Sequence, residues 1–147
     1  MATFSQGARL NLLDQRVADT LSGHGVLAQA VPGFQPRQGQ TDMAMAVSRT
    51  VQEGGQLVVE AGTGTGKTYA YLVPVLLSGQ RALVSTATKA LQDQLFSRDI
   101  PRLVQALGLP IRVALLKGRS NYLCLHRMGQ ARHSPESVQP GAQQALA

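Results

Sequence analysis

The sequence predicts an α/β fold with a parallel sheet flanked by helices. Two observations predict the alternation, and a third supplies the bulk. Three short apolar runs, Gln56–Glu60, Arg81–Thr86 and Ile111–Leu116, alternate with stretches of helical spacing. The joints between them are short and mostly marked by glycine. Strand–helix–strand–helix–strand order with tight joints is how a helix-covered parallel sheet is written along a chain. Hydrophobic residues make up 44% of the 147, enough for one core and too little chain for two ordinary domains.

The elements follow in order. Leu10, Leu13, Val17 and Leu21 recur at helical spacing, so the first helix is expected over Leu10–Leu21, ended by Ser22-Gly23-His24-Gly25. Val26–Phe34 contains Pro32-Gly33 and reads as an extended lead-in. Arg37–Glu53 is a second helix behind Pro36, with Met43, Val47 and Val51 on one face and Gly54-Gly55 as its stop. Gln56–Glu60 is a buried strand, Ala61–Gly66 a glycine-rich joint, and Lys67–Leu77 a helix that Pro74 should kink by removing a backbone donor. After Ser78-Gly79 comes the strand Arg81–Thr86, then a helix over Thr88–Phe96 with Leu91 and Leu95 facing inward. Asp99-Ile100-Pro101 opens another helix, Gly108 ends it, and Ile111–Leu116 is the third strand. Gly129–Ala147 is rich in Gln, Ser, Pro, Gly and Ala and is expected to be a disordered end. The division is then 1–33 as N-terminal helix and lead-in, 34–128 as the nucleotide-binding part, and 129–147 as tail.

Charge and composition narrow the function. Lys and Arg number 14 against 8 Asp and Glu, a net charge of +6, which favours phosphate-bearing partners. The longest apolar runs, such as Tyr71–Leu77, fall far short of the roughly 20 residues a bilayer requires. MATFSQGARL lacks the charged start and apolar stretch of a secretory signal, and the lone Cys124 excludes an internal disulfide. A cytoplasmic location with no membrane is expected. His24, His126 and His133 show no metal-ligand spacing.

Ala61-Gly62-Thr63-Gly64-Thr65-Gly66-Lys67-Thr68 fits the phosphate-binding loop, with Ala in place of the first Gly. Glycines let the backbone curl so that successive N–H groups point at a triphosphate. The following helix aims its positive end at the same oxygens. Lys67 would reach the β/γ-phosphates, and Thr68 would offer its hydroxyl to Mg²⁺, so ATP and Mg are the expected ligands.

Three runs in order, Glu60–Thr68 (EAGTGTGKT), Ser85–Leu95 (STATKALQDQL) and Leu116–Cys124 (LKGRSNYLC), resemble the DinG/YoaA-type iron–sulfur DNA helicases of superfamily two, relatives of the xeroderma pigmentosum D enzymes. The likeness covers roughly Pro32 to Arg127. It implies a partial RecA-like domain, the N-terminal portion of an enzyme that couples ATP hydrolysis to 5′-to-3′ movement on single-stranded DNA in repair or replication. In Phe34–Gln40 it implies that Gln40 hydrogen-bonds adenine and Arg37 helps position it. It assigns Thr86, Thr88 and Gln94 to the DNA strand, where hydroxyls donate to phosphates without reading bases. Lys89 adds a positive charge beside them. Capping of the next helix by Thr86 or Thr88 is the alternative on the residues alone, and both can hold. Lys117, Arg119 and Tyr122 suit a strand-binding groove, and a solvated basic loop is the other reading. Cys124 matches the first iron–sulfur ligand, but such clusters are normally held by four Cys and this chain has one.

The resemblance also implies an Asp-Glu motif beyond the iron–sulfur segment and a second motor domain, and no adjacent Asp-Glu pair occurs in these 147 residues. The chain alone is therefore expected to be close to inactive as an ATPase. Two other classes remain on the residues: another phosphate-loop enzyme, such as a small-molecule kinase, and a non-catalytic nucleic-acid-binding module that works through its charge.

Overall fold

A computed structural model of the chain describes residues 11–133. Leu10, expected to begin the first helix, and the expected tail beyond His133 lie outside the described residues. Two compact units are present, one running to Val113 and the other starting at Ala114.

The first unit is a helical core. Helix α1 (Leu12–Leu21) starts at Asn11, whose side chain accepts the Asp14 backbone N–H at 3.0 Å, a common N-cap bond. Its buried face is Asp14, Val17, Thr20 and Leu21. Residues Val26–Ala30, expected to be extended, form a short helix α2 instead, because Leu27 turns into the core with no solvent exposure and one helical turn is what points it there. Helix α3 (Gln38–Glu53) is close to its expected span, but its buried stripe is Gln40, Ala44 and Ser48. Met43, Val47 and Val51, the expected core face, are only half-buried. Small residues win the central position because they let α3 lie close against α4 (Lys67–Ser78), its principal neighbour. Helix α4 supplies more of the core than any other element, through Ala70, Leu72, Val73 and Leu77, and it remains helical through its buried Pro74. It also contacts α1 and α6.

The stretch expected to hold two separate helices is one nearly continuous rod. Helix α5 (Lys89–Gln94) runs into a π turn, Leu95–Asp99, and then into α6 (Ile100–Leu107). The π bonding is marked by the Ile100 N–H, which donates to the Leu95 carbonyl five residues back. In an unbroken α-helix, Leu95 and Leu103 would be out of phase by about 80°. The wider turn takes up that offset, and both leucines are buried. Leu91, expected to face inward, is exposed.

The expected parallel sheet is not formed among the described residues, where no strand ladder is present. Val58 is 96% exposed and Leu83 90% exposed, so the apolar runs meant as strands face solvent. A parallel strand gains its stability from helices on both faces of the sheet. Here the helices of the first unit pack on one another and leave those runs uncovered. The second unit holds a short 3₁₀ turn, Arg119–Asn121, and helix α7 (Leu125–His133), which takes in the first residues of the expected tail.

Candidate nucleotide site

The glycine-rich joint closes on itself in the way its residue types dictate. Gly64 (φ 76°) and Gly66 (φ 80°) both adopt the left-handed region. That conformation costs an L-residue roughly 1–2 kcal/mol. At Gly66 a Cβ would also meet the Gln40 amide, so that side chain would have to leave its place against the loop. Gly66 also ends the loop as the N-cap of α4, accepting the Tyr69 and Ala70 backbone N–H groups, both at 3.1 Å. The first turn of α4 carries no acidic residue, so its positive end is uncompensated there.

Three predicted side chains converge on the loop from different elements. The Lys67 ammonium, at the start of α4, donates to the Ala61 and Gly62 carbonyls, each at 2.6 Å. Gln40, buried in the first turn of α3, donates through Nε2 to the Gly66 carbonyl at 3.0 Å. Arg37, the residue before α3, donates to the Gly64 carbonyl. Within the loop, Thr65 Oγ1 donates to the Gly62 carbonyl at 3.0 Å, and Thr63 is exposed. The start of α3 is therefore fastened to the loop through Gln40 and Arg37, although the two lie more than twenty residues away in sequence.

Beside the loop is a cavity of about 340 Å³ whose lining includes Phe34, Arg37, Gln40, Thr68, Tyr69 and Asp99. Gln94, Arg98 and Arg102 reach it from the α5–α6 rod. Burial raises the pKa of the Tyr69 phenol, and the Asp99 carboxylate raises it further, while Arg102 and Arg98 oppose. Burial also raises the Tyr71 pKa, opposed by a hydrogen bond with the Thr68 side chain. Sequence reasoning missed Tyr69, Arg98, Asp99 and Arg102. One signal was there to find: Asp99 is a charged residue midway between Leu95 and Leu103 on an otherwise apolar stripe.

The residues expected along DNA do not act alike. Thr88 caps α5, its Oγ1 accepting the Leu91 N–H at 3.2 Å, while Thr86 Oγ1 donates to the Thr88 carbonyl at 3.3 Å. Lys89 is exposed at the start of α5. Gln94 is set apart from them, because its Nε2 donates to Asp99 Oδ2 at 2.8 Å in the cavity wall. In the second unit, the Tyr122 hydroxyl accepts the Lys117 N–H at 2.9 Å, and Arg119 and Tyr122 are exposed.

The donor sets fit the implied groups unequally. The curled loop, Lys67 and the start of α4 would suit a triphosphate, and Thr68 would offer one hydroxyl to its cation. Cys124 is a free, exposed thiol, and no group of three or more metal-ligating His, Cys, Asp or Glu occurs among the described residues. An iron–sulfur cluster, which needs four ligands, does not fit the residues of this chain alone. No helix among the described residues is long and apolar enough to cross a membrane.

Comparison with known proteins bears on this geometry. A family model described as DEAD/DEAH box helicase matches residues 40–135. The chain is 56% identical over 114 residues to a protein named ATP-dependent DNA helicase YoaA of Escherichia coli, covering 78% of this chain and 18% of that one. It is 50% identical over 117 residues to the protein of the same name in Haemophilus influenzae, covering 80% and 18%. It is 51% identical over 110 residues to one named ATP-dependent helicase DinG of Mycobacterium tuberculosis, covering 69% and 17%. The chain thus spans less than a fifth of the length of these curated relatives.

Proposed function

The chain belongs to the DEAD/DEAH box helicase family, and from that premise we propose that it is the N-terminal part of an ATP-dependent DNA helicase of the DinG/YoaA type. In this reading Ala61–Thr68 holds the triphosphate of ATP, with Lys67 against the β/γ-phosphates. Arg37 and Gln40 place the adenine. Thr68 is the ligand this chain gives to Mg²⁺, which when bound neutralises charge developing on the transferred phosphoryl group. Thr86, Thr88 and Lys89 meet the phosphates of single-stranded DNA, and Lys117, Arg119 and Tyr122 continue that track. The three apolar runs are the strands of a RecA-like parallel sheet that further chain would cover, and such an enzyme works in the cytoplasm. Cys124 would be one ligand of an iron–sulfur cluster whose other ligands lie outside these residues.

The observation that carries the reading is the convergence of Lys67, Gln40 and Arg37 on one loop whose two left-handed glycines and helix start suit bound phosphate. A charge-assisted contact to phosphate contributes about 1.5–3 kcal/mol. Titrating the 147-residue chain with a fluorescent ATP analogue should therefore show Lys67→Ala binding roughly 10- to 100-fold more weakly. Equal binding by the two proteins would remove the loop from the account. ATPase turnover of the chain, with or without single-stranded DNA, should be near background. DNA binding that is salt-sensitive but indifferent to nucleotide and to Lys67→Ala would favour a charge-driven binding module instead.

A further inference from the structure

The cavity beside the phosphate loop contains a group that the helicase reading leaves without a task. Asp99 is 5% exposed, yet its carboxylate stands in the cavity wall with Gln40, Thr68 and Tyr69. It is brought there by the π turn, a distortion that occurs mostly as single turns and gathers at functional sites. Two groups fix its direction: Gln94 Nε2 donates to Oδ2 at 2.8 Å, and Arg98 Nε donates to Oδ1 at 2.9 Å. A carboxylate oxygen can accept two hydrogen bonds, so one more donor on each is chemically admissible.

Resting on the reading of this loop as an ATP site, we propose that Asp99 is a specificity-determining residue that selects the base. Its carboxylate accepts a hydrogen bond from the 6-amino group of adenine, with Gln94 and Arg98 as the positioning residues that aim it. An ionised carboxylate only accepts, and in an adenine joined to ribose the 6-amino group is the one conventional hydrogen-bond donor. A base carrying a 6-oxo group would set oxygen against oxygen at that position, and its N1–H would meet the carboxylate only if the base shifted in the cavity. The half-buried aromatic rings of Phe34 and Tyr69 line the same cavity, which suits a planar base better than a sugar. Asp99 and Tyr69 line the same cavity, and the carboxylate helps raise the pKa of that phenol.

The test compares ATP with ITP, in which the amine is replaced by oxygen, by competition against a fluorescent nucleotide in the 147-residue chain. The unmodified chain should prefer ATP by about 10- to 100-fold. Asp99→Asn, whose amide can donate to a 6-oxo group, should bring the two affinities within about threefold, while inorganic tripolyphosphate competes as before. Gln94→Met keeps the carboxylate but removes one group that aims it, and it should reduce the preference about threefold. The inference is overturned if Asp99→Asn weakens ATP and ITP by one common factor or loses tripolyphosphate as well, since Asp99 would then be structural. It is equally overturned if both variants keep the original preference, or if the change appears between ATP and 2′-deoxy-ATP, which would move the contact to the sugar. If the unmodified chain binds neither ATP nor tripolyphosphate, the ATP-site reading itself falls and this inference with it.

Discussion

Removing the Asp14 carboxylate should loosen the base of the nucleotide site from some distance away. Asp14 lies in the first turn of α1 and is 4% exposed. Its Oδ1 accepts the Ser48 hydroxyl at 2.6 Å and Gln52 Nε2 at 3.2 Å, both from α3. In Asp14→Ala, Ser48, with no solvent exposure, loses its acceptor. Gln52 loses less, because Nε2 also reaches the Ser48 carbonyl at 3.1 Å. A hydrogen bond to a buried charged group contributes about 1.5–3 kcal/mol, and the weaker second contact adds a fraction of that, giving a loss of about 2–3 kcal/mol. For a unit of this size the melting temperature should fall by roughly 10–20 °C. Asp14→Asn keeps an acceptor for Ser48 and should lose only about 1 kcal/mol. Urea unfolding followed by circular dichroism at 222 nm measures both. A loss below about 0.5 kcal/mol in Asp14→Ala would refute the reasoning, because exposed substitutions commonly cost that little. Ser48 shares its stripe on α3 with Gln40, so the same variant should also weaken nucleotide binding by disturbing the helix that presents the amide.

Two further outcomes follow from the site. Gly66→Ala must place a Cβ at positive φ against the Gln40 amide, so it should destabilise the chain by about 1–3 kcal/mol and abolish measurable nucleotide binding, as melting and titration of the variant would show. Tyr69 and Tyr71 both have pKa values raised above the ordinary 10.0, so the folded chain holds their protons more tightly than the unfolded chain does. Their contribution to stability is then complete below about pH 10 and declines as the pH rises through the folded values. Melting between pH 8 and 11 should show this decline, and Tyr69→Phe with Tyr71→Phe should reduce it.

The sequence and the structure agree most where local chemistry decides. The helical spacing of Val17 and Leu21 and the residue pattern of the loop are short-range signals, and the elements they mark are present. Disagreement begins where packing chooses among options. On α3, apolar spacing favoured Met43, Val47 and Val51, but close approach to α4 rewards Ala44 and Ser48, and a hydrophobicity count gives small residues little weight. Leu27 drew Val26–Ala30 into a helix because of a core that lies elsewhere in the chain. The π turn adds a residue to a helical pattern with no glycine or proline of its own, and Pro101 just beyond it reads as the start of a new helix, which hid both the continuity of α5 with α6 and the place of Asp99. The apolar runs such as Leu57–Val59 are written for burial on two faces, and burial of that kind depends on partners that no local pattern specifies. At the loop, residue types alone were enough to nominate Lys67, and the family resemblance added Gln40 and Arg37. Tyr69 and Asp99 needed the fold to bring them together.

The wide turn at Leu95–Asp99 has a bearing on how this lineage can change. A descendant that lost one residue there would regain an ordinary helix, and its acidic group would swing by about 100° away from the chamber beside the loop. Loss at that point could thus alter which nucleotide is accepted while every residue touching the phosphates stayed in place.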